Sequence, residues 1–223
     1  MKHEIRLSHF EQQQIEELNR VKLQFFTNVT HELMTPLSIL ITSLEGLNKG
    51  VGEPHALYSV MTVNAARLMR LIQQILEFRK AESGNLKLGV SQGDIAAFIR
   101  KCSEAFTPLV TKKALHFSFE ASPSSIRGWF DPDKVDKIIY NLLSNAAKYT
   151  PADGRIGITL TRLDNEVEIE VANSGELMSR EAIDNLFKRF YDGKYRKFHT
   201  IGTGIGLSLV KDLVTIHKGR IAV

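Results

Sequence analysis

Residues 131–151 read DPDKVDKIIYNLLSNAAKYTP, a pattern that predicts an amphipathic helix over 131–149. Asp131 can cap this helix with its side chain, and the fixed φ angle of Pro132 suits the first helical position. The apolar face consists of Val135, Ile138, Ile139, Leu142 and Ala146. A separate polar line runs along the same helix through Asn141, Asn145 and Lys148.

The residues on either side of this helix predict an alternation of helices and strands. The predicted elements are helices over 95–113 and 205–217 and strands over 115–120, 155–162 and 167–171. The last two strands flank a turn at Asp164-Asn165. Such an alternation is typical of a mixed α+β domain, here over residues 86–223. The final residues 221–223 are predicted to begin another strand.

Residues 1–82 predict two long helices. In the first helix apolar residues recur every three or four positions, at Leu18, Val21, Phe25, Val29, Leu33, Leu37, Leu40, Leu44 and Leu47. The turn residues NKGVGEP at 48–54 end it, and a second apolar series follows up to Leu76. Two helices joined by a short loop form an antiparallel hairpin. Because two helices cannot enclose a core, the hairpin is predicted to dimerise into a four-helix bundle.

The composition excludes several classes of protein. Hydrophobic residues make up 43% and charged residues 24% of the chain, so it is neither wholly disordered nor collagenous. No apolar run approaches the roughly 20 residues that span a bilayer. Cys102 is the only cysteine, which excludes an intrachain disulfide. The net charge of +4 lies in residues 83–223 and is too mild to indicate nucleic acid, whereas a local anionic ligand suits it.

A polar stripe on the first helix contains a candidate reactive histidine. At 100° per residue, the polar side chains on the side opposite Leu33 are Gln24, Asn28, His31, Thr35 and Ser38. His31 therefore points away from the bundle core, with Glu32 beside it. A carboxylate can hold one imidazole nitrogen protonated and leave the other free to act as a nucleophile. The simpler alternative is a surface histidine on a solvated helix face.

Two further elements suit a phosphate ligand. The run GTGIG at 202–206 opens a helix, where glycines allow close approach and the backbone N–H groups are unpaired. Amide oxygens of Asn141 and Asn145 can bind Mg²⁺, and Lys148 can pair with a phosphate. Residues 188–199 carry five basic side chains against one acidic one. Each element alone is equally compatible with a turn or a solvated surface.

Together these motifs resemble sensor histidine kinases of two-component systems. FTNVTHELMTPL at 26–37 resembles their H box, NLLSNAAKYTP at 141–151 the N box, LFKRF at 186–190 the F box and GTGIGL at 202–207 the G2 box. The resemblance implies a dimerisation and histidine-phosphotransfer domain at 1–82, a linker at 83–90 and an ATP-binding domain at 91–223. The ATP-binding domain would be an α/β sandwich of the Bergerat type. The expected fold class is thus α+β.

The resemblance also implies roles for individual residues. His31 would accept the γ-phosphoryl group of ATP, Glu32 would be its base or orienting partner, and Thr35 would orient water during dephosphorylation of the partner. Nucleotide and Mg²⁺ contacts would come from Asn141, Asn145, Lys148, Tyr149, Asn173, Gly175, Gly202, Thr203, Gly204, Gly206 and Leu207, with Asn141 and Asn145 as the metal ligands. Related ATPases carry a glutamate where Asn141 stands, so phosphoryl transfer is favoured over hydrolysis.

One motif departs from the family pattern. The G1 box is usually Asp-x-Gly-x-Gly, and its aspartate accepts a hydrogen bond from the adenine amino group. Here the matching residues are NSGEL at 173–177, so Asn173 replaces the aspartate and Leu177 the second glycine. Loss of the charge weakens such a hydrogen bond by about 1 kcal/mol. Two alternatives follow, namely a kinase biased towards dephosphorylating its partner, and a pseudo-kinase scaffold that binds nucleotide weakly.

The resemblance further implies a cellular context. The expected partners are a second copy of the chain and a response-regulator receiver domain, either separate or fused downstream, without nucleic acid or direct membrane contact. The expected location is the cytoplasmic side of a membrane-anchored sensor. The family's sheet continues beyond Ile221 through about one more hairpin, so we expect truncated C-terminal strands and an exposed last sheet edge.

Overall fold

The computed structural model describes residues 2–190 and 204–223, with the side chains of residues 2–11, 13, 14, 17 and 18 outside the description. The chain forms two compact units. The first contains Met1–Lys80 and Arg189–Ile205, and the second contains Ala81–Lys188 and Gly206–Val223. The domain limits at 1–82, 83–90 and 91–223 stay predictions.

Two long helices, α1 (Lys2–Asn48) and α2 (Pro54–Glu82), form most of the first unit, as the apolar spacing predicts. The loop between them turns at Gly50 and Gly52, whose φ angles of 65° and 92° are reached by glycine without strain. Because the loop is short, α1 and α2 are antiparallel neighbours. Pro36 lies inside α1, and the helix continues on both sides of it.

A small apolar core joins the two helices. Its buried members are Phe25, Val29, Phe78 and Ile205, with Leu33, Ile75 and Phe190 packed around them. The rings of Phe25 and Phe78 have centroids 5.7 Å apart, and the Phe190 ring lies 5.0 Å from the first and 5.4 Å from the second. Further along the predicted stripe, Leu37 is 40% and Leu44 50% exposed. One copy of the hairpin therefore leaves much of its apolar stripe uncovered.

The predicted polar face of α1 is only partly exposed. His31 and Thr35 are exposed, as the helical wheel predicts, but Asn28 is buried. Asn28 lies one turn after Phe25, so the edge of the apolar core covers it. Its Oδ1 accepts a hydrogen bond from Gln24 Nε2 at 2.9 Å, which compensates the buried amide. The prediction that Asn28 shares the solvent side of His31 is wrong.

The second unit has the predicted α+β architecture. Its elements in chain order are β1 (Ser91–Asp94), α3 (Ile95–Glu104), α4 (Thr107–Lys112), β2 (His116–Ser122), β3 (Arg127–Phe130), α5 (Pro132–Tyr149), β4 (Arg155–Leu163), β5 (Glu166–Asn173), α6 (Arg180–Asn185) and α7 (Gly206–Ile216). The main sheet has the order β2-β4-β5, with β2 parallel and β5 antiparallel to β4. β1 and β3 form a separate antiparallel pair.

The core of this unit lies between one face of the sheet and its helices. The inward residues of β4 are Ile156, Ile158 and Leu160, each at most 2% exposed. Ile139 and Leu143 of α5 and Ile99 of α3 belong to the same buried cluster. α7 packs against another side of α5, where Leu209 and Leu213 contact Ile138. The apolar face predicted for α5 is therefore the centre of the unit.

Residues 95–113 form two helices instead of the predicted one. α3 ends at Glu104, and α4 begins at Thr107 after Phe106 as N-cap. Pro108 explains the break, because a proline has no N–H to continue the hydrogen-bond ladder of α3 and is tolerated in the first turn of a new helix. The sequence pattern also misses β1 and β3, at four residues each, and α6, at six, because they are too short to show a period.

Residues 221–223 have no strand assignment, which corrects the prediction that they begin a strand. These residues come directly after α7 and the short turn that ends it. Ile221 packs against the apolar cluster of α5 and α7. Arg220 Nη2 pairs with Glu166 Oε2 at 3.1 Å, at the start of β5. On its side away from β4, β5 pairs with no strand among the described residues.

Asp94 joins the start of α3 to the loop that precedes β3. Its carboxylate accepts hydrogen bonds from Ser125 Oγ at 2.7 Å, from the N–H groups of Ala96 and Ala97 at 3.0 and 3.2 Å, and from Ile126 N–H at 3.1 Å. The Ser125 hydroxyl above all, together with the backbone N–H groups, holds the pKa of the Asp94 carboxyl below its ordinary value of 3.8.

Replacing Asp94 by alanine is expected to lower the free energy of unfolding by about 1–2 kcal/mol at neutral pH, because the cap of α3 is lost. Since the folded-state pKa lies below the unfolded value, this contribution is complete above that value and disappears as the pH falls through the folded-state pKa. Urea unfolding followed by circular dichroism at neutral and acidic pH measures both effects. Asp184→Ala, at an exposed position of α6, is the control. A destabilisation that stays unchanged as the pH falls through the folded-state pKa, which lies below 3.8, would contradict the assignment.

Candidate functional site

His31 and Thr35 share one exposed face of α1. Both side chains are exposed, and Thr35 lies one turn after His31. Thr35 Oγ1 donates a hydrogen bond to the His31 carbonyl oxygen at 3.1 Å. The imidazole is thus accessible to a reactant from outside the hairpin, as a phosphoryl acceptor requires.

Glu32 lies at the boundary between α1 and α2. Its side chain is 18% exposed, and its Oε2 accepts a hydrogen bond from Arg67 Nη2 of α2 at 3.1 Å. Sequence analysis missed Arg67. A hairpin that turns at residues 49–53 places residues at similar distances from the turn opposite each other, and that geometry is the signal that indicates the pair.

The polar line predicted on α5 is present and partly covered. Asn141 is 8% exposed, and its Nδ2 donates to the Lys137 carbonyl oxygen at 2.7 Å. Asn145 and Lys148 follow along the helix and are half-buried. Lys148 Nζ lies 5.2 Å from the ring centroid of Tyr149, which is 48% exposed at the end of the helix. The buried apolar face fixes the helix, and thereby the direction of these side chains.

The residues after β5 meet the end of α5. A Cβ atom on Gly175 would lie 3.2 Å from the Tyr149 carbonyl oxygen, so the two backbones approach closely and a side chain would disturb them. Asn173 Nδ2 donates to the Ser174 carbonyl oxygen at 3.2 Å, which fixes the orientation of its amide. Leu177 is 95% exposed, so its side chain points to solvent. The structure therefore brings Asn173, Gly175 and Tyr149 together, although they are distant in sequence.

The glycine-rich run is only partly described. Gly202 and Thr203 lie outside the described residues, as does most of the basic run at 188–199. Gly204 has a φ angle of 69°, and its carbonyl oxygen accepts a hydrogen bond from Phe190 N–H at 3.0 Å. Gly206 is the first residue of α7, and Leu207 is half-buried in its first turn. The prediction of a helix that follows this run is confirmed.

The donor set of α5 fits a Mg²⁺ ion that is shared with phosphate groups. Within residues 2–190 and 204–223, no three His, Cys, Asp or Glu side chains cluster as a metal site. Mg²⁺ uses few protein oxygens and completes its shell with water and substrate phosphates. The hydrogen bond from Asn141 Nδ2 directs the donor end of that amide to the helix backbone. Amide oxygens are ligands that Mg²⁺ accepts, so the residue types of Asn141 and Asn145 are compatible with such an ion.

A shallow depression of about 360 Å³ lies at one end of the main sheet, lined by His116, Phe117, Ser118, Arg155, Ile156, Gly157, Ala172, Asn173 and Ser174. Its side chains from His116, Ser118 and Arg155 belong to the exposed face, away from the helices. It includes Asn173 but no residue of α5, so it does not coincide with the predicted nucleotide site. No helix in the described part of the chain combines the length and apolarity needed to cross a membrane.

Comparison with known proteins gives two family matches. Residues 21–84 match the family described as His Kinase A (phospho-acceptor) domain. Residues 130–223 match the family described as histidine kinase-, DNA gyrase B- and HSP90-like ATPase. His31, Glu32 and Thr35 lie in the first match, and the polar line of α5 lies in the second.

Individual relatives agree with these matches. The chain is 32% identical over 228 residues to histidine kinase P4 of Formosa agariphila. The aligned region covers 99% of this chain and 17% of that relative. The chain therefore spans less than a fifth of the relative's length. Two solved structures share the fold. Full-length ShkA in complex with AMPPNP has a TM-score of 0.60 at 22% identity, covering 86% of this chain and 40% of ShkA. Histidine kinase ThkA in complex with the response regulator TrrA has a TM-score of 0.57 at 21% identity, covering 95% of this chain and 60% of the ThkA chain.

Gly175→Ala is expected to weaken binding of an ATP analogue, because its Cβ atom would press on the Tyr149 carbonyl oxygen. Overpacking of about 1 kcal/mol corresponds to a roughly fivefold rise in Kd, which isothermal titration calorimetry measures. Gly128→Ala is the matched control, because a Cβ atom there meets nothing within 4 Å. Equal Kd values for both variants would show that the close approach at Gly175 does not shape the site.

Proposed function

This chain belongs to the sensor histidine kinases, and we propose that it transfers the γ-phosphoryl group of ATP to His31 and from there to an aspartate of a response-regulator receiver domain. The observation that carries the proposal is the exposed imidazole of His31 inside the segment that matches the phosphoacceptor family. An acceptor must meet a phosphoryl donor from outside its own helix, and the exposed face of α1 permits this.

At His31 the transfer is an in-line displacement. One ring nitrogen attacks the γ-phosphorus, the new N–P bond forms as the bond to the ADP oxygen breaks, and ADP leaves with the bonding electron pair. The proton on the other ring nitrogen needs an acceptor, and we assign this role to Glu32. The chain contributes mainly position and charge, since phosphoryl transfer needs little covalent help from a protein.

The second unit would bind the nucleotide. Mg²⁺, when bound, neutralises phosphate charge, and Asn141 and Asn145 would hold it through their amide oxygens. Lys148 would pair with a phosphate, and Tyr149 would lie near the nucleotide. Asn173 and Gly175 would meet the adenine. The close approach of the Gly175 and Tyr149 backbones supports a single nucleotide site at the end of α5. The family resemblance implies phosphate contacts for the glycine-rich residues Gly202, Thr203, Gly204, Gly206 and Leu207, of which Gly206 and Leu207 belong to the second unit.

Transfer to histidine is favoured over hydrolysis of ATP. Hydrolysis requires a group that activates water, usually a carboxylate. The corresponding position on α5 is Asn141, an amide that cannot accept a proton from water, and its Nδ2 is already bonded to the Lys137 carbonyl oxygen. The phosphoryl group therefore reaches an acceptor side chain rather than water.

We assign two protein partners to this core. The apolar stripe of the hairpin, with Leu37 and Leu44 40% and 50% exposed, supports a homodimer in which four helices cover one another's apolar surface. The complex of ThkA with TrrA supports a receiver domain as the second partner. A place on the cytoplasmic side of a membrane-anchored sensor belongs to the same proposal and rests on the family resemblance.

With γ-labelled ATP and Mg²⁺, the unmodified chain is expected to acquire label that is acid-labile and stable in base, as a phosphohistidine is. His31→Gln should abolish the label. His55→Gln, at an exposed histidine of the same hairpin, should retain it. Label that survives in His31→Gln overturns the proposal. An unlabelled chain that also binds the ATP analogue weakly or not at all supports the pseudo-kinase alternative instead.

Asn173→Asp is expected to strengthen binding of an ATP analogue about fivefold, because a carboxylate accepts the adenine amino hydrogen with about 1 kcal/mol more free energy than an amide. Calorimetric titration of both chains measures the change. Asn165→Asp, in the exposed turn between β4 and β5, adds the same charge to the same unit and should leave Kd unchanged. A weaker affinity in Asn173→Asp would mean that the amide is required, for example for its hydrogen bond to the Ser174 carbonyl oxygen.

A further inference from the structure

We propose that Arg67 is a positioning residue for phosphoryl transfer at His31, acting through the carboxylate of Glu32. The inference rests on the proposed function of His31 and Glu32. Its structural basis is the contact of Arg67 Nη2 with Glu32 Oε2 at 3.1 Å, which joins residues 35 apart in sequence and links α2 to α1.

Helix geometry explains why Glu32 needs a partner outside α1. Consecutive residues of an α-helix point in directions about 100° apart, so the side chains of His31 and Glu32 do not face each other. His31 is exposed, whereas the Glu32 side chain is only 18% exposed and reaches the neighbouring helix. Among the described residues, the polar side-chain contact of Glu32 is with Arg67, and none joins it to His31. Arg67 therefore determines where this carboxylate lies.

The contact also gives the two oxygens of the Glu32 carboxylate different roles. Oε2 accepts the guanidinium N–H, and Oε1 is the oxygen left to accept a proton from the imidazole when the phosphoryl donor arrives. A glutamate has three rotatable side-chain bonds, and an ion pair with a planar guanidinium restricts them. Without Arg67, a half-buried carboxylate rotates towards water, because partial burial penalises an unpaired charge. The acceptor of the proton would then be misplaced.

Misplacement of a catalytic group lowers the rate of the chemical step more than the affinity for the substrate. We therefore expect Arg67→Gln to reduce the maximal rate of His31 phosphorylation at least about tenfold, with little change in KM for ATP. Arg67→Lys keeps a positive charge near Glu32 and should restore part of the rate. Because Arg67 acts through Glu32, removing it from a chain that already carries Glu32→Gln should cost nothing more.

The test measures initial rates of label incorporation at several ATP concentrations in the full chain and in Arg67→Gln, Arg67→Lys, Glu32→Gln and the double variant Glu32→Gln/Arg67→Gln. Thermal unfolding of each variant shows whether the hairpin remains folded. Arg220→Gln is the matched control, because it removes an arginine–glutamate pair of the same 3.1 Å length in the other unit, and it should leave the rate unchanged.

The inference is overturned if Arg67→Gln phosphorylates His31 at an unchanged rate, or if the losses of rate add in the double variant. It is also overturned if Arg67→Gln and Arg67→Lys lower the melting temperature and the rate to the same extent, because the role of Arg67 is then only structural. These outcomes leave the proposed function intact, because the unmodified chain still acquires label on His31. Absence of label from the unmodified chain overturns the proposed function, and the role of Arg67 with it.

Discussion

The packing of α5 against β4 is the contact on which the second unit depends. Leu160 and Ile139 are fully buried in it, and the helix can occupy only one rotational setting when its apolar face meets the sheet. That setting directs Asn141, Asn145 and Lys148 to another side of the same helix. The arrangement of the candidate nucleotide residues is thus a consequence of the packing between the apolar residues of α5 and the sheet.

The hairpin follows a different principle, because it has little core of its own. Phe25 and Phe78 are buried, but much of the remaining apolar stripe is in contact with water. Association with a second copy would supply the missing core at about 25 cal/mol for each Å² of apolar surface that it covers. In the proposed function, the face of α1 at His31 needs the opposite environment, since it must stay open. One helix would therefore serve both the proposed association and the proposed chemistry, through two of its faces.

Most of the fold can be predicted because its long helices carry apolar patterns that repeat over many residues. The repeats of α1, α2 and α5 extend over many residues, so their faces follow from spacing alone, and Asp131 and Pro132 mark the start of α5. Elements of four to six residues carry no such repeat. The burial of Asn28 does not follow from the sequence, because a helical wheel shows the direction of a side chain on one helix but not where a neighbouring element covers it. The contact of Arg67 with Glu32 is likewise not visible in the pattern of either helix, because it exists only once the hairpin has folded.

Arg189–Ile205 belong to the same compact unit as the hairpin, and this has a practical consequence for work with separate fragments of the protein. Ile205 is fully buried against Phe25, Val29 and Phe78, and Phe190 packs beside it. A fragment that starts at residue 81 keeps Phe190 and Ile205 but loses the surface that covers them. Its solubility and its nucleotide affinity then report partly on that newly exposed apolar patch, so they are not simply the properties of the same residues in the intact chain.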